Sequence, residues 1–137
     1  MKISVLSIPV GDQAKALDFY SQKLLFITKQ DIPLGGGNRW LTMVSPEDQS
    51  GTELLLEPSP KHFEPAKTFQ EALYAAGIPW TQFNVDDVEA EYARLTKLDV
   101  EFKKGPTEMG PVKFAILDDT CGNFIQLVEM LEAPESK

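Results

Sequence analysis

The chain opens on a short apolar run, "KISVLSIPV", and then changes to a helical spacing in "QAKALDFYSQKLLF", where Ala16, Leu17, Tyr20 and Leu24 recur on one face. Asp12 stands just before that segment and suits an N-cap, so the pattern predicts a strand followed by a helix. Farther on, "LGGGN" at 34–38 and "PEDQSG" at 46–51 are turn-forming. They bracket "RWLTMVS" and precede "TELLLEP", both of strand character. The first 58 residues thus read as strand, helix and a run of strands.

The order returns after Ile78. "WTQFNV" suits a strand, Asp86 or Asp87 an N-cap, and Val88, Tyr92 and Leu95 one helical face. "VEFKKGP", "VKFAILDD" and "FIQLVEM" then read as strands, the last two separated by the turn "TCGN". A slide that lays Val10 on Val85 also lays Asp12 on Asp87, and a slide two residues shorter lays Glu53 on Gln126 and Leu54 on Leu127. Self-similarity at that length implies one supersecondary unit used twice. Residues 59–77, "SPKHFEPAKTFQEALYAAG", read as a proline-marked linker with a short helix ending at Gly77. The expected organisation is a single 1–137 domain: module one 1–58, linker 59–77, module two 78–131 and a tail 132–137. Each unit would lay one sheet face on its helix and leave the other free to curve around a cavity.

A chain of 137 residues with 42% hydrophobic and 25% charged residues has the composition of a soluble globular protein that can bury a core. Its net charge of −8 disfavours nucleic acid and anionic lipid, which bind through clustered Lys and Arg. No apolar stretch is long enough to span a bilayer, and the N-terminus lacks a signal-peptide pattern, so a cytoplasmic location is expected. The one cysteine, Cys121, has no intrachain disulfide partner and reads as a small packing residue in a turn.

The doubled βαβββ pattern, with "PVGDQAKALDFYSQKLLF" near one end and "DDTCGNFIQLVE" near the other, resembles the vicinal oxygen chelate superfamily. That group includes glyoxalase I, extradiol dioxygenases, and fosfomycin- and bleomycin-resistance proteins. The resemblance spans residues 3–131. It implies an α+β fold of tandem modules whose mixed sheets form a cupped, barrel-like layer with helices outside, often completed in a homodimer. In the metalloenzymes of the group, a divalent ion is held by His or Glu on the first strand of each module and Glu on the last. Those places fall here on Val5, Glu53, Trp80 and Gln126. Valine has no donor atom, indole offers only an N–H, and Gln126 offers a neutral amide, so a catalytic metal and any other cofactor are not expected.

Alternation along "TELLLEP" puts Glu53, Leu55 and Glu57 on one face and Leu54 and Leu56 on the other. If the leucines meet the helix, both glutamates point to the cup. Glu53 is then the candidate carboxylate, and desolvation beside Trp80 would raise its pKa and suit it to a general base. By the repeat symmetry Gln126 would face Glu53 and bond to it. Val5, Ser7, Trp40, Glu53, Glu57, Trp80 and Gln126 form the candidate ligand-binding set. Two aromatic walls beside a few polar groups suit a small organic ligand, and the acidic balance favours a cationic or amphipathic one. The rival readings are a lyase, isomerase or dioxygenase of the same group, using Glu53 as base or a divergent metal site, and a module whose cup is filled by its own side chains.

The remaining polar features have plainer readings. "GGG" at 35–37 lacks phosphate-loop spacing and reads as a loop at the mouth of the cup. Asp118 and Asp119 suit backbone bonding in a turn. Lys103 and Lys104 read as a solvated edge, and His62, the one histidine, as a solvated linker side chain.

Overall fold

A computed structural model describes residues 1–131. Its elements are β1 (Val5–Pro9), α1 (Gln13–Asp18), β2 (Ile27–Gly35), β3 (Asn38–Val44), β4 (Glu53–Glu57), α2 (Ser59–His62), α3 (Glu64–Ala76), β5 (Thr81–Asn84), α4 (Val88–Lys97), β6 (Phe102–Met109), β7 (Val112–Asp118) and β8 (Phe124–Met130). They form two four-stranded sheets of identical topology, β1-β4-β3-β2 and β5-β8-β7-β6. In each, the first strand runs parallel to the last and the other neighbours are antiparallel. The fold is α+β with a duplicated βαβββ unit, as the pattern predicts. The sheets do not close into a barrel.

The repeat holds at the level of single bonds. Asp12 accepts from the Lys15 amide at 3.1 Å and Asp87 from the Ala90 amide at 3.1 Å, so equivalent aspartates cap equivalent helices. Each cap is worth about 1 kcal/mol. Val10 and Val85 each send an amide proton to the neighbouring strand, to the carbonyls of Glu57 and Val128.

Helix α1 continues into a π-helical turn, Phe19–Lys23, which the sequence pattern does not announce. The turn keeps Phe19 and Tyr20 pointing inward together with Ala16. The linker holds two helices, with α3 running 13 residues to a left-handed Gly77, longer than the short helix expected. Gly77 has φ +71, the conformation that favours glycine at a helix end.

One hydrophobic cluster joins the halves. Ile8, Leu41, Met43 and Leu56 of the first sheet and Leu117, Ile125 and Leu127 of the second enclose Ala16, Phe19, Tyr20 and Leu95 from the helical layer. Burying a side chain of that size is worth about 1.5–3 kcal/mol. The other face of the second sheet carries a separate cluster of Phe114, Ile116, Phe124 and Val128. Lys103 and Lys104, read as a solvated edge, lie over the rings of Phe124 and Phe114 at 5.2 and 5.9 Å.

A buried polar seam crosses between the halves. The Tyr20 hydroxyl donates to Asp119 Oδ2 at 2.6 Å, and Asn123 Nδ2 donates to the same oxygen and to the Pro9 carbonyl, each at 2.9 Å. Gln70, the one buried residue of α3, donates to the Pro9 carbonyl at 3.0 Å and to the Cys121 carbonyl at 3.1 Å. Asp119 Oδ1 accepts from the amides of Cys121 and Asn123, the turn role expected for it. Burial nevertheless raises its pKa above the ordinary carboxylate value, against the pull of these hydrogen bonds.

Candidate functional site

Strand alternation and register fix which side chains share a face. In the first sheet Val5 lies opposite Glu53, Ser7 opposite Leu55, and Pro9 opposite Glu57, while Thr42 lies opposite both Leu55 and Gln30, and Trp40 opposite Ile32. Leu41, Met43, Leu54 and Leu56 turn to the helices. Val5, Ser7, Trp40, Glu53 and Glu57 therefore stand together on the face away from the helices, as the alternation implies.

Glu53 is held differently from the expectation. Its Oε1 accepts from Thr42 Oγ1 at 2.6 Å and from Gln30 Nε2 at 2.7 Å. Those two bonds, with a weaker pull from the Lys29 charge, outweigh desolvation and lower the carboxyl pKa. The expected upward shift does not occur, because Glu53 is half-buried rather than sealed and its donors stabilise the anion. Sequence reasoning missed both donors. Thr42 shares the strand alternation of Trp40 and could have been found that way; Gln30 sits in a strand with hardly any buried residue and gives no signal.

The second sheet corrects the assumed symmetry. Gln126 lies opposite Gln82 and donates to Gln82 Oε1 at 3.3 Å. The expected bond between Gln126 and Glu53 is absent, because each side chain finds its partner within its own sheet. Trp80 precedes β5, with its amide on the Phe124 carbonyl at 2.8 Å. Its ring meets Phe69 of α3 edge-on, centroids 5.5 Å apart, and its Nε1 donates to the Ser7 carbonyl at 3.3 Å. Trp80 thus ties the start of the second sheet to the first strand of the first.

These places do not make a metal site. The strand-paired positions, Val5 with Glu53 and Gln82 with Gln126, offer one carboxylate, two neutral amides and a hydrocarbon. Among the described residues no group of three or more His, Cys, Asp or Glu side chains could hold an ion. A catalytic divalent metal normally needs at least three protein ligands, so this donor set does not fit one. His62 pairs through Nε2 with Asn38 Oδ1 at 2.7 Å, away from these positions.

A cleft of about 920 Å³ opens between the halves. Phe26 and Pro46 line it from the first, and Phe83 and Arg94 from the second. None of the seven candidate residues lines it, although Thr52, next to Glu53 in the chain, and Gln82, the strand partner of Gln126, do.

A family model described as the Glyoxalase/Bleomycin resistance protein/Dioxygenase superfamily matches residues 2–127. The Bacillus subtilis (strain 168) protein YurT is 52% identical over 129 residues, covering 94% of this chain and 99% of that protein. Among solved structures, UcmS2 superimposes with a TM-score of 0.79 at 28% identity, covering 94% of this chain and 98% of its own. TnmS3, described as an antibiotic binding protein from Streptomyces sp. CB03234, superimposes with a TM-score of 0.71 at 27% identity, covering 95% and 96%. With the duplicated βαβββ topology, these matches show that the chain belongs to the glyoxalase/bleomycin resistance protein/dioxygenase superfamily.

Proposed function

We propose that this protein binds a small, cationic or amphipathic organic molecule in the cup between its modules, without a metal ion or other cofactor and without turnover. The observation that carries the reading is Glu53, a carboxylate fixed as an anion by Thr42 and Gln30 on a sheet face shared with Val5, Ser7, Trp40 and Glu57. An anion beside apolar and aromatic surface recognises a positive charge attached to an apolar body. Trp80, which donates to the Ser7 carbonyl, adjoins this face from the second half, while Gln126 is paired with Gln82 in its own sheet. The relative TnmS3, an antibiotic binding protein by description, supports sequestration as a strategy.

The rival enzymatic reading needs Glu53 as a base. Two hydrogen bonds to Oε1 lower its basicity, which is the wrong direction for proton abstraction near neutral pH. Homodimerisation belongs to the same proposal, supported by apolar residues left exposed on β2 and β6, Leu34 and Met109. A cytoplasmic location is proposed with it; no helix among the described residues is long and apolar enough to cross a membrane.

The test combines two measurements on the purified protein. After dialysis against divalent metals its metal content should stay near zero per chain. A panel of amphipathic amines, alcohols and carboxylates should then include amines that quench the fluorescence of Trp40 and Trp80 with no product formed. Stoichiometric metal, or product released from a bound compound, would transfer the protein to the enzymatic reading.

A further inference from the structure

The hydrogen bonds to Glu53 are distributed unevenly. Thr42 Oγ1 and Gln30 Nε2 both donate to Oε1, at 2.6 and 2.7 Å, and so occupy the lone pairs of that one oxygen. Oε2 has no hydrogen-bond partner among the described residues. Lys29 does not supply one: its Nζ donates to the Gln49 carbonyl at 3.3 Å. The three side chains come from adjacent strands, Gln30 from β2, Thr42 from β3 and Glu53 from β4. Thr42 is fully buried, so one of the two donors to the carboxylate is enclosed by packing.

We infer that the ligand presents an N–H-bearing cation, a primary or secondary ammonium or a guanidinium, to Oε2 of Glu53, and that Thr42 and Gln30 set this selectivity by occupying Oε1. The inference rests on the binding reading above and narrows its ligand class. An ammonium N–H gives Oε2 both a charge and a directed bond. A quaternary ammonium carries the charge behind methyl groups and can make no such bond. An alcohol can make the bond but brings no charge. One step along the same face lie Trp40 and Ile32, paired across β3 and β2, where an apolar body attached to the cation has surface to cover.

Thr42 is a positioning residue: it acts on the ligand through Glu53. Without its hydroxyl, Oε1 loses one donor and competes with Oε2 for the ligand's proton, so the fixed geometry is lost while the carboxylate remains. Thr42→Ser keeps the donor and Thr42→Val removes it at nearly constant volume.

The experiment is a heteronuclear NMR titration of the full chain with three probes: phenethylamine, its N,N,N-trimethyl analogue and 2-phenylethanol. Phenethylamine should move the amides around Gln30, Thr42 and Glu53, and should bind about tenfold more tightly than either other probe, the ratio that one charge-assisted hydrogen bond of about 1.4 kcal/mol supplies. Thr42→Val should weaken it by about tenfold, Thr42→Ser by less than about threefold, and Glu53→Gln should abolish the preference for amine over alcohol. Dispersed spectra of the variants show that they fold. Equal binding of the trimethyl analogue, or Thr42→Val without effect while Glu53→Gln abolishes binding, overturns the inference and leaves the binding reading standing. If no compound in the amine, alcohol and carboxylate panel binds at all, both fall.

Discussion

Replacing Tyr20 by Phe removes one oxygen from the buried seam and nothing else. The Tyr20 hydroxyl and Asp119 are both sealed from solvent, and the bond between them is 2.6 Å long. Asp119 Oδ2 would retain only Asn123 Nδ2 as a donor. Losing a hydrogen bond to a charged group in such a place costs about 2 kcal/mol. At about 2.1 cal/mol/K of unfolding entropy per residue, that corresponds to a fall in Tm of about 7 °C. The pH dependence has a definite sign. Burial, ahead of the hydrogen bonds, raises the folded-state pKa of Asp119, so its contribution to stability is fully present below the ordinary carboxylate pKa and is lost as pH rises through the folded value. Tyr20 is one of the groups that hold that value down, and its loss deepens the penalty on the neutral side. The deficit of the variant should therefore be largest above the folded carboxyl value and shrink toward about 1 kcal/mol as pH falls through it, where only a neutral hydrogen bond is missing. Tyr20 itself has a pKa raised well above 10 by burial and by Asp119. Wild-type stability should accordingly fall above pH 10, where the unfolded phenol ionises first, and the variant should fall less steeply, keeping the part due to Tyr74, whose pKa is also raised. Urea unfolding at several pH values reads all of this. A deficit under about 0.5 kcal/mol at pH 7, or one that grows on acidification, would refute the account.

Two further outcomes test other parts of the fold. In Gly77→Ala, a residue held at φ +71 would acquire a Cβ 2.6 Å from Lys103 Cε, so the helix end is strained and Lys103 is displaced from the Phe124 ring. A loss of about 2 kcal/mol in thermal or urea unfolding is expected, and an unchanged Tm would show that the end of α3 is not held as described. The Cys121 thiol is pushed up to about 12 by burial and the neighbouring Asp119 charge. At pH 8 it should react with Ellman's reagent at least about a hundredfold more slowly in the folded protein than in denaturant, and comparable rates would contradict its burial.

The duplicated architecture was legible because caps and core positions obey local rules. Asp12 and Asp87 cap because a carboxylate before a helical stripe has few better uses, and Ile8, Leu56 and Leu127 fall inward by alternation. Strand β2 was less legible: its residues are almost all exposed, so no alternation marks it. The site was legible as a face but not as a set of partners. Alternation has period two, and the first-strand place carried over from the resemblance falls on Trp80 whereas the strand partner of Gln126 is Gln82, two residues on, which preserves the face and changes the neighbour. The donors to Glu53 lie in other strands, and pairing between strands is decided by register that no single segment encodes.

The Pro9 carbonyl has a consequence for how far the duplication extends. It accepts one proton from Gln70 of the linker and one from Asn123 of the second half, while belonging to the first. A polar atom shared in this way has no equivalent that either half could supply alone. The internal repeat therefore describes how the chain is written, whereas its unit of cooperativity is the whole. Separated at the linker, each half would keep its own sheet ladder but would bring to its surface a set of polar groups made to be satisfied only by the other.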